Sequence, residues 1–541
     1  MGANETREVK KKSFLQGAAI LAGAAVLIKL MGAFFRIPLA NIIGAVGMGY
    51  YQTAYPIYNL FLTISTAGIP VAISRMVAER CAEGNHYEAH RVFKVSFLLL
   101  LIIGTLSSSI LYFGADAYAK SANMDEAVLA IRAIAPALLL VSLMAAFRGY
   151  FQGTQNMKPT ACSQIFEQLF RVAVGLTLAI VLAKKGLEVA AAGASFGATA
   201  GSAFGLLVIA LIYLLHKKAI VQKIRRSGSK SSGESSGRIL VRIFIIALPI
   251  TIGAAIMPLM NMIDLQIVMN RLVDIGYTSE SAQAMYGELS GFAAPLINLP
   301  QVLIQAIAIS LVPTIAAAHQ RRDMEFLRFN VSTGLRTAMI IAMPCAFGMM
   351  TLSEPIMLLL YPLEKASAVS AAPLLFILAL GIIFLSGIQT LTGILQGIGK
   401  QNIPVRNLFI GALVKVACTF YLTGVESINV KGAAIGTVAT YIVTFLLNLA
   451  AVKKYTKADF SAGQVFLRPL ISVLAMSVCA WGAHRLIVGV LGNSLATLLA
   501  VAVGGIVYIV MIFATKTITP QELSMLPKGD KIAKLAGKFG K

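Results

Sequence analysis

The chain has 541 residues, of which 57% are hydrophobic and only 13% charged, with a net charge of +23. A soluble domain carries roughly 25% charged residues, so a water-soluble chain could not hide this much apolar surface and lipid must be the solvent. The basic excess would suggest nucleic acid in a soluble protein. Here most Lys and Arg sit in short segments between apolar runs, and the positive-inside rule explains them without a nucleic-acid partner.

Lys10-Lys11-Lys12 precede an apolar stretch from Ser13 to Phe35, too long for a signal-peptide core, which reads as an uncleaved first helix. At about twenty apolar residues per crossing, spans are expected near 13–37, 48–78, 93–113, 126–154, 158–183, 187–215, 239–270, 282–317, 327–353, 369–398, 402–424, 428–452, 464–489 and 493–515. The fold class is therefore an all-α integral membrane protein of about fourteen transmembrane helices. The long run 282–317 should bend at Pro295 or Pro300, or tilt. A cytoplasmic N-terminus puts about 32 Lys and Arg on the inner side and about seven outside, which favours an even number of crossings with both termini cytoplasmic.

The largest inner loop, 217–238, contains SGSKSSGESSG and has linker composition. It divides the chain into an N-terminal lobe (1–216), the basic linker (217–238), a C-terminal lobe (239–455), two further helices (456–515) and a basic cytoplasmic tail (516–541). Weak internal repeats agree with this. Pro56-Ile57-Tyr58-Asn59-Leu60 recurs as Pro295-Leu296-Ile297-Asn298-Leu299, and Pro70 matches Pro313. Gln152-Gly153, Pro159 and Arg171 recur as Gln396-Gly397, Pro404 and Lys415. Two six-helix lobes related by a pseudo-two-fold axis along the membrane normal are expected. Cys81, Cys162, Cys345, Cys418 and Cys479 are scattered and read as reduced core residues. With no metal-ligand cluster and no Gly-rich phosphate loop, neither a metal nor another cofactor is expected, and no catalytic residue is assigned.

The stretches RIPLANIIGAVGMGYYQTAYPIYNLF (Arg36–Phe61), GIPVAISRMVAER (Gly68–Arg80) and RGYFQGTQNMKPTACSQIFEQLFRV (Arg148–Val172) resemble the polysaccharide-export branch of the MOP superfamily. Within it the resemblance is to the stage V sporulation protein B-like group, which includes lipid II flippases of Gram-positive bacteria. It implies a twelve-helix, two-lobed core whose central cavity opens alternately to each side. It also implies two C-terminal helices that form a groove for a polyprenyl tail, and undecaprenyl-diphosphate-linked sugars as substrates. A bacterial cell membrane location, membrane lipids and cell-wall synthesis proteins as candidate partners follow from the same resemblance.

An anionic diphosphate cannot cross hydrocarbon alone, so the candidate residues are cations and polar groups inside spans. Lys29 and Arg36 lie seven residues apart on one helical face, where similar flippases carry two basic residues. Arg36 also reads as an interfacial anchor. Arg75 ends the second span, where related flippases have an essential basic residue and where a positive-inside cluster also begins. The fifth span carries a polar stripe of Gln164, Glu167, Gln168 and Arg171, in which Glu167 and Arg171 can pair. Asn59, Asn298, Gln301 and Gln305 could bond sugar or neighbouring helices. Tyr50, Tyr51, Tyr55 and Tyr58 read first as an aromatic belt, with sugar stacking as the other reading. The family's acidic residue after the first span is replaced by Tyr50, Tyr51 and Gln52. Its arginine entering the eighth span is replaced by Glu288 and Pro295, so either Arg148 or Arg171 would supply the missing charge, or the substrate would differ.

Asp264 stands inside the seventh span without a charge nearby in sequence, and Asn407, Gly411 and Lys415 share a face of the eleventh. Some related flippases hold sodium in this region. Here Lys415 is expected to replace the ion and pair with Asp264, with a purely structural pair or a sodium site using Thr437 or Thr440 as alternatives. The expected function is a flippase for an undecaprenyl-diphosphate glycolipid, foremost lipid II for peptidoglycan synthesis. The alternatives are export of a capsular, teichoic or spore-cortex precursor, a drug antiporter, and a polyprenyl glycosyltransferase. The basic first span argues against cationic drugs, and short outer loops argue against the enzyme.

Overall fold

The computed structural model describes residues 2–226, 234–458, 460, 463–515 and 517. Every regular element among them is helical. The long helices are α1 (Gly2–Thr66), α2 (Ile69–Ala82), α3 (His86–Phe113), α4 (Pro136–Gly153), α5 (Lys158–Leu182), α6 (Leu187–Arg226), α7 (Ser236–Asp274) and α8 (Ser279–Gly287). They continue as α9 (Leu299–Gln320), α10 (Met324–Thr351), α11 (Lys365–Gly397), α12 (Asn402–Thr423), α13 (Lys431–Thr456) and α14 (Arg468–Ala514).

Twelve stretches among the described residues are long and apolar enough to cross a membrane. Two of them hold two crossings each. α1 leaves helical geometry at Gly44 (φ 66°, ψ −173°) and α14 at Gly492 (φ 72°, ψ 171°), angles that only glycine reaches without strain. Splitting both helices there turns the twelve stretches into the fourteen crossings that the hydropathy pattern predicts. Phe113, Leu215, Leu486 and Val490 are 79–83% exposed, which is tolerable only where lipid is the solvent.

Packing gathers the chain into two units, Met1–Gly287 and Glu288–Lys541. In the first, α5 pairs with α6, α4 packs on α2 and α3, and α7 lies against α1 and α2. The seventh span thus packs with the first six, and the division falls after Gly287 rather than within 217–238. The reasons are local. Gly68 lies against the Ala247 carbonyl, with no room for a Cβ. Arg242 donates to Glu79 at 2.7 Å, and Arg80 bonds Glu234. α6 runs on to Arg226, so 217–226 is helix rather than linker. Residues 227–233 of the expected linker and 516 and 518–541 of the tail lie outside the described residues.

In the second unit α11 packs against α9, α10 and α13, α12 pairs with α13, and α14 lies on α10. The expected bend in 282–317 is spread over two breaks. A π-helical segment, Glu288–Ala293, follows α8, and a one-turn helix, Ala294–Ile297, has Pro295 in its first turn. α9 then restarts with Pro300 in its own first turn. None of the five cysteines is fully buried, and Cys479 is exposed. All five thiols are free, and Cys81 packs against a buried cluster, so the expected core placement fails outright only at Cys479, where a thiol is equally at home on the lipid face.

The internal repeat reappears as packing within each unit. A Cβ on Gly149 would meet Ile73 Cβ at 2.9 Å, and on Gly153 the Ser74 carbonyl at 2.7 Å, pressing α4 onto α2. In the second unit a Cβ on Gly393 would meet the Ala308 carbonyl at 2.7 Å, and on Gly397 Ile315 Cβ at 2.9 Å, pressing α11 onto α9. Gly197 abuts the Arg171 carbonyl and Gly436 the Lys415 carbonyl, the same pair of partners one repeat apart. Small residues at such contacts let helices approach closely enough for dispersion to hold them in lipid. Gly149→Ala and Gly393→Ala should therefore each cost about 1–3 kcal/mol. The control Gly253→Ala, in open space, should be neutral or stabilising. Thermal unfolding in detergent checks this, and equal melting temperatures for all three would refute it.

Candidate functional site

The half of α1 after Gly44 carries Tyr51, Tyr55 and Tyr58 at steps of four and three, so all three share one face. The Tyr51 hydroxyl donates to the Tyr55 hydroxyl at 2.6 Å, and successive ring centroids are 4.8 and 6.1 Å apart. Phe35 closes the row 6.0 Å from Tyr51. Tyr51 is 2% exposed and Tyr58 1%, so these rings are buried and not an interfacial belt.

Facing groups come from α4 and α5. Arg148 Nε donates to Ser163 Oγ at 3.0 Å, and Nη2 to Glu167 Oε2 at 2.9 Å. Ser163 and Glu167 stand one turn apart and offer two acceptors to a forked donor. Glu167 is thus paired across helices with Arg148, and the expected pair with Arg171 along α5 does not form. Arg171 instead has Tyr55, Tyr58, Glu167 and Tyr51 as electrostatic neighbours. Arg171 Nε and the Tyr58 hydroxyl are both sealed from solvent, the guanidinium lies beside that phenol, and no carboxylate among the described residues forms an ion pair with it. Arg36 also acts on Tyr51. The result is a tyrosine-lined nest on the first unit with one guanidinium neutralised and another not. Its donors suit an oxyanion, phosphate above all.

The other expected residues are dispersed. Lys29 is exposed and Arg36 half-buried along α1. Asn59 is half-buried, next in sequence to Tyr58. Arg75 stands apart from the nest: its side chain is 63% exposed and bonds Glu79 at 3.0 Å, in the ion network that ties α2 to α7. Gln305 is exposed on α9. Gln301 donates to Ser386 at 3.3 Å and Asn298 to the Ala294 carbonyl at 3.0 Å, which makes both structural. Asp264 is half-buried on α7, in the first unit, and Lys415 half-buried on α12, in the second. Asn407 is 1% exposed and donates to Asn448 Oδ1 at 2.9 Å, joining α12 to α13. Thr437 and Thr440 give their hydroxyl protons to carbonyls of their own helix. No cluster of three or more His, Cys, Asp or Glu able to hold a metal occurs among the described residues. The pairing of Arg148 with Ser163 and Glu167 was missed in sequence, although the four-residue step was its signal.

A family model described as "Polysaccharide biosynthesis protein" matches residues 14–319, and the MatE model matches 249–421. Three Bacillus subtilis proteins are similar over nearly their whole lengths. Uncharacterized membrane protein YabM is 30% identical, covering 97% of each chain. Stage V sporulation protein B is 27% identical (96% of this chain, 98% of the relative), and lipid II flippase MurJ 27% identical (92% and 94%). A solved lipid II flippase MurJ in an inward closed conformation superposes with a TM-score of 0.67 at 14% identity, covering 91% of this chain and 98% of the other, a likeness of fold.

If Arg148 and Glu167 neutralise one another, removing either alone should cost more than removing both. Arg148→Met or Glu167→Leu should each lower stability by about 3 kcal/mol, and the double variant by less than either. Thermal unfolding of the four proteins tests this, and additive losses would refute the pair.

Proposed function

Because this chain belongs to the polysaccharide biosynthesis protein family of membrane transporters, we propose that it flips an undecaprenyl-diphosphate-linked glycolipid, foremost lipid II, from the inner to the outer leaflet by alternating access. The observation that carries the reading is Arg171. A guanidinium inside a span is expensive unless it meets an anion or water, and this one makes no ion pair among the described residues. Glu167, the nearest carboxylate in its helix, is engaged by Arg148. The vacant charge and the tyrosine hydroxyls around it are the complement of a diphosphate. Lys29 and Arg36, on one face of α1, would hand the headgroup toward it, with Arg148 as support and Asn59 as a sugar contact. The prenyl tail, too apolar to enter such a nest, would stay in lipid beside α14. Both termini would face the cytoplasm of a bacterial cell, the side on which the precursor is made.

The similarity to stage V sporulation protein B supports a second reading, the same chemistry serving a spore-cortex precursor. Both readings share the diphosphate.

Complementation tests the proposal. In a strain depleted of its lipid II flippase this chain should restore growth, whereas Arg171→Ala, Arg36→Ala and Lys29→Ala should not, at normal protein level. A lost charge-assisted contact is worth about 1.5–3 kcal/mol, or roughly tenfold to a hundredfold in affinity. Arg171→Lys should be intermediate, because lysine keeps the charge but not the fork. Normal growth with Arg171→Ala would contradict the reading.

A further inference from the structure

The π-helical segment Glu288–Ala293 begins with a carboxylate that no part of the diphosphate reading uses. Glu288 is 8% exposed, nine residues inside a stretch apolar enough to span the membrane. Its one described hydrogen bond comes from Ser370 Oγ, on α11, which donates to Oε2 at 2.7 Å. It makes no ion pair among the described residues. The elements packed on the segment are α11 and the one-turn helix Ala294–Ile297. The latter has no titratable group, and Lys365, exposed at the head of α11, is the only charged residue of that helix. Glu364 and Tyr361 precede it, and Glu280 lies two turns earlier on the carboxylate's own helix, at the exposed start of α8. Among the described residues no cation bonds the carboxylate.

The segment is otherwise held firmly. A π turn displaces carbonyls from their usual partners, and such turns recur at functional sites. Here the Phe292 carbonyl accepts from the fully buried Tyr361 hydroxyl at 3.0 Å, and the two rings lie 4.4 Å apart. One end of the segment is thus fixed to the residues before α11 by a neutral bond, and the other by a group that can change charge.

We infer that Glu288 is a proton-binding site, protonated while the π segment is docked on α11 through Ser370 and ionised when that contact opens. A buried ionised carboxylate with a single hydroxyl for company is unfavourable, and it is relieved by taking a proton. Water supplies the proton: carboxylate and hydronium give carboxylic acid and water, and the reverse on release. Once ionised, the group calls for hydration, which parting from α11 would supply. Sodium suits the site less well, because one carboxylate and one hydroxyl give it too few oxygens. The transport consequence rests on the flippase reading, whereas protonation itself does not.

Infrared difference spectroscopy of the purified full chain in lipid nanodiscs reads the protonation directly. At neutral pH the wild type should show a carboxylic-acid carbonyl band that fades as pH rises and is absent from Glu288→Gln, a near-isostere of the protonated form. Ser370→Ala should keep the band but move it to higher frequency, because a hydrogen bond to the carboxyl is lost. Identical spectra for the wild type and Glu288→Gln at every pH would overturn the inference. Disappearance of the band on adding sodium at fixed pH would overturn it in favour of a cation site. In proteoliposomes, flipping by the wild type should fall about tenfold per pH unit once the proton is lost, and flipping by Glu288→Gln should change less than about twofold over the same range. A lipid-linked substrate that is not flipped at all, with the band present, would tell against the substrate and not against the proton site.

Discussion

A guanidinium inside a membrane bundle must be met by an opposite charge, by a set of acceptors or by water. The polar interior of the first unit is organised around that constraint. Arg148 meets it within the protein, through Ser163 and Glu167. That pairing uses the only acid of α5 and leaves Arg171 facing tyrosines whose hydroxyls can donate as readily as accept. A guanidinium met by neutral hydroxyls rather than by a carboxylate of its own leaves room for an anion. Glu288 in the second unit is the mirror problem, an acid with no ion pair among the described residues, and a proton is its simplest answer.

The helices that hold these groups obey the same solvent logic. With lipid outside, burial of apolar surface gives little reason for one helix to prefer another, so glycine contacts and hydrogen bonds decide the neighbours. Gly149 and Gly153 place α4, and with it Arg148, against α2. Gly197 and Gly201 bring α6 onto the backbone of α5 at Arg171 and Glu167, which fixes the height at which those side chains stand. In the second unit the same positions are served by Gly393, Gly397 and Gly436, with Lys415 standing where Arg171 stands in the first. The two lobes share a framework and differ in the charge mounted on it.

Hydropathy made the spans legible, because twenty apolar residues in a row have few other uses. The tight angles at Gly44 and Gly492 were not, since neither glycine is marked among its small neighbours. The packing of the seventh span on α1 and α2 was not legible, because a polar linker looks like a boundary, while helix packing follows contacts such as Gly68 on Ala247 and Arg242 on Glu79. At the site, Arg171 and its stripe were visible from spacing. Which cation Glu167 would meet was not, because Arg148 lies nineteen residues away on another helix. The tyrosines looked interfacial because sequence shows that they cluster but not that α1 buries them. Glu288 stood out as a departure from the family pattern, but Ser370, eighty-two residues later, could be found only in three dimensions.

The central claim is that Arg171 is kept in the membrane to receive a diphosphate. Native mass spectrometry of the purified chain with undecaprenyl diphosphate, undecaprenyl monophosphate and undecaprenol measures it most directly. The wild type should bind the diphosphate most strongly and the alcohol least, and Arg171→Gln should lose the preference while still binding the prenyl chain. Equal binding of all three lipids by the wild type, or an unchanged diphosphate preference in Arg171→Gln, would contradict the account.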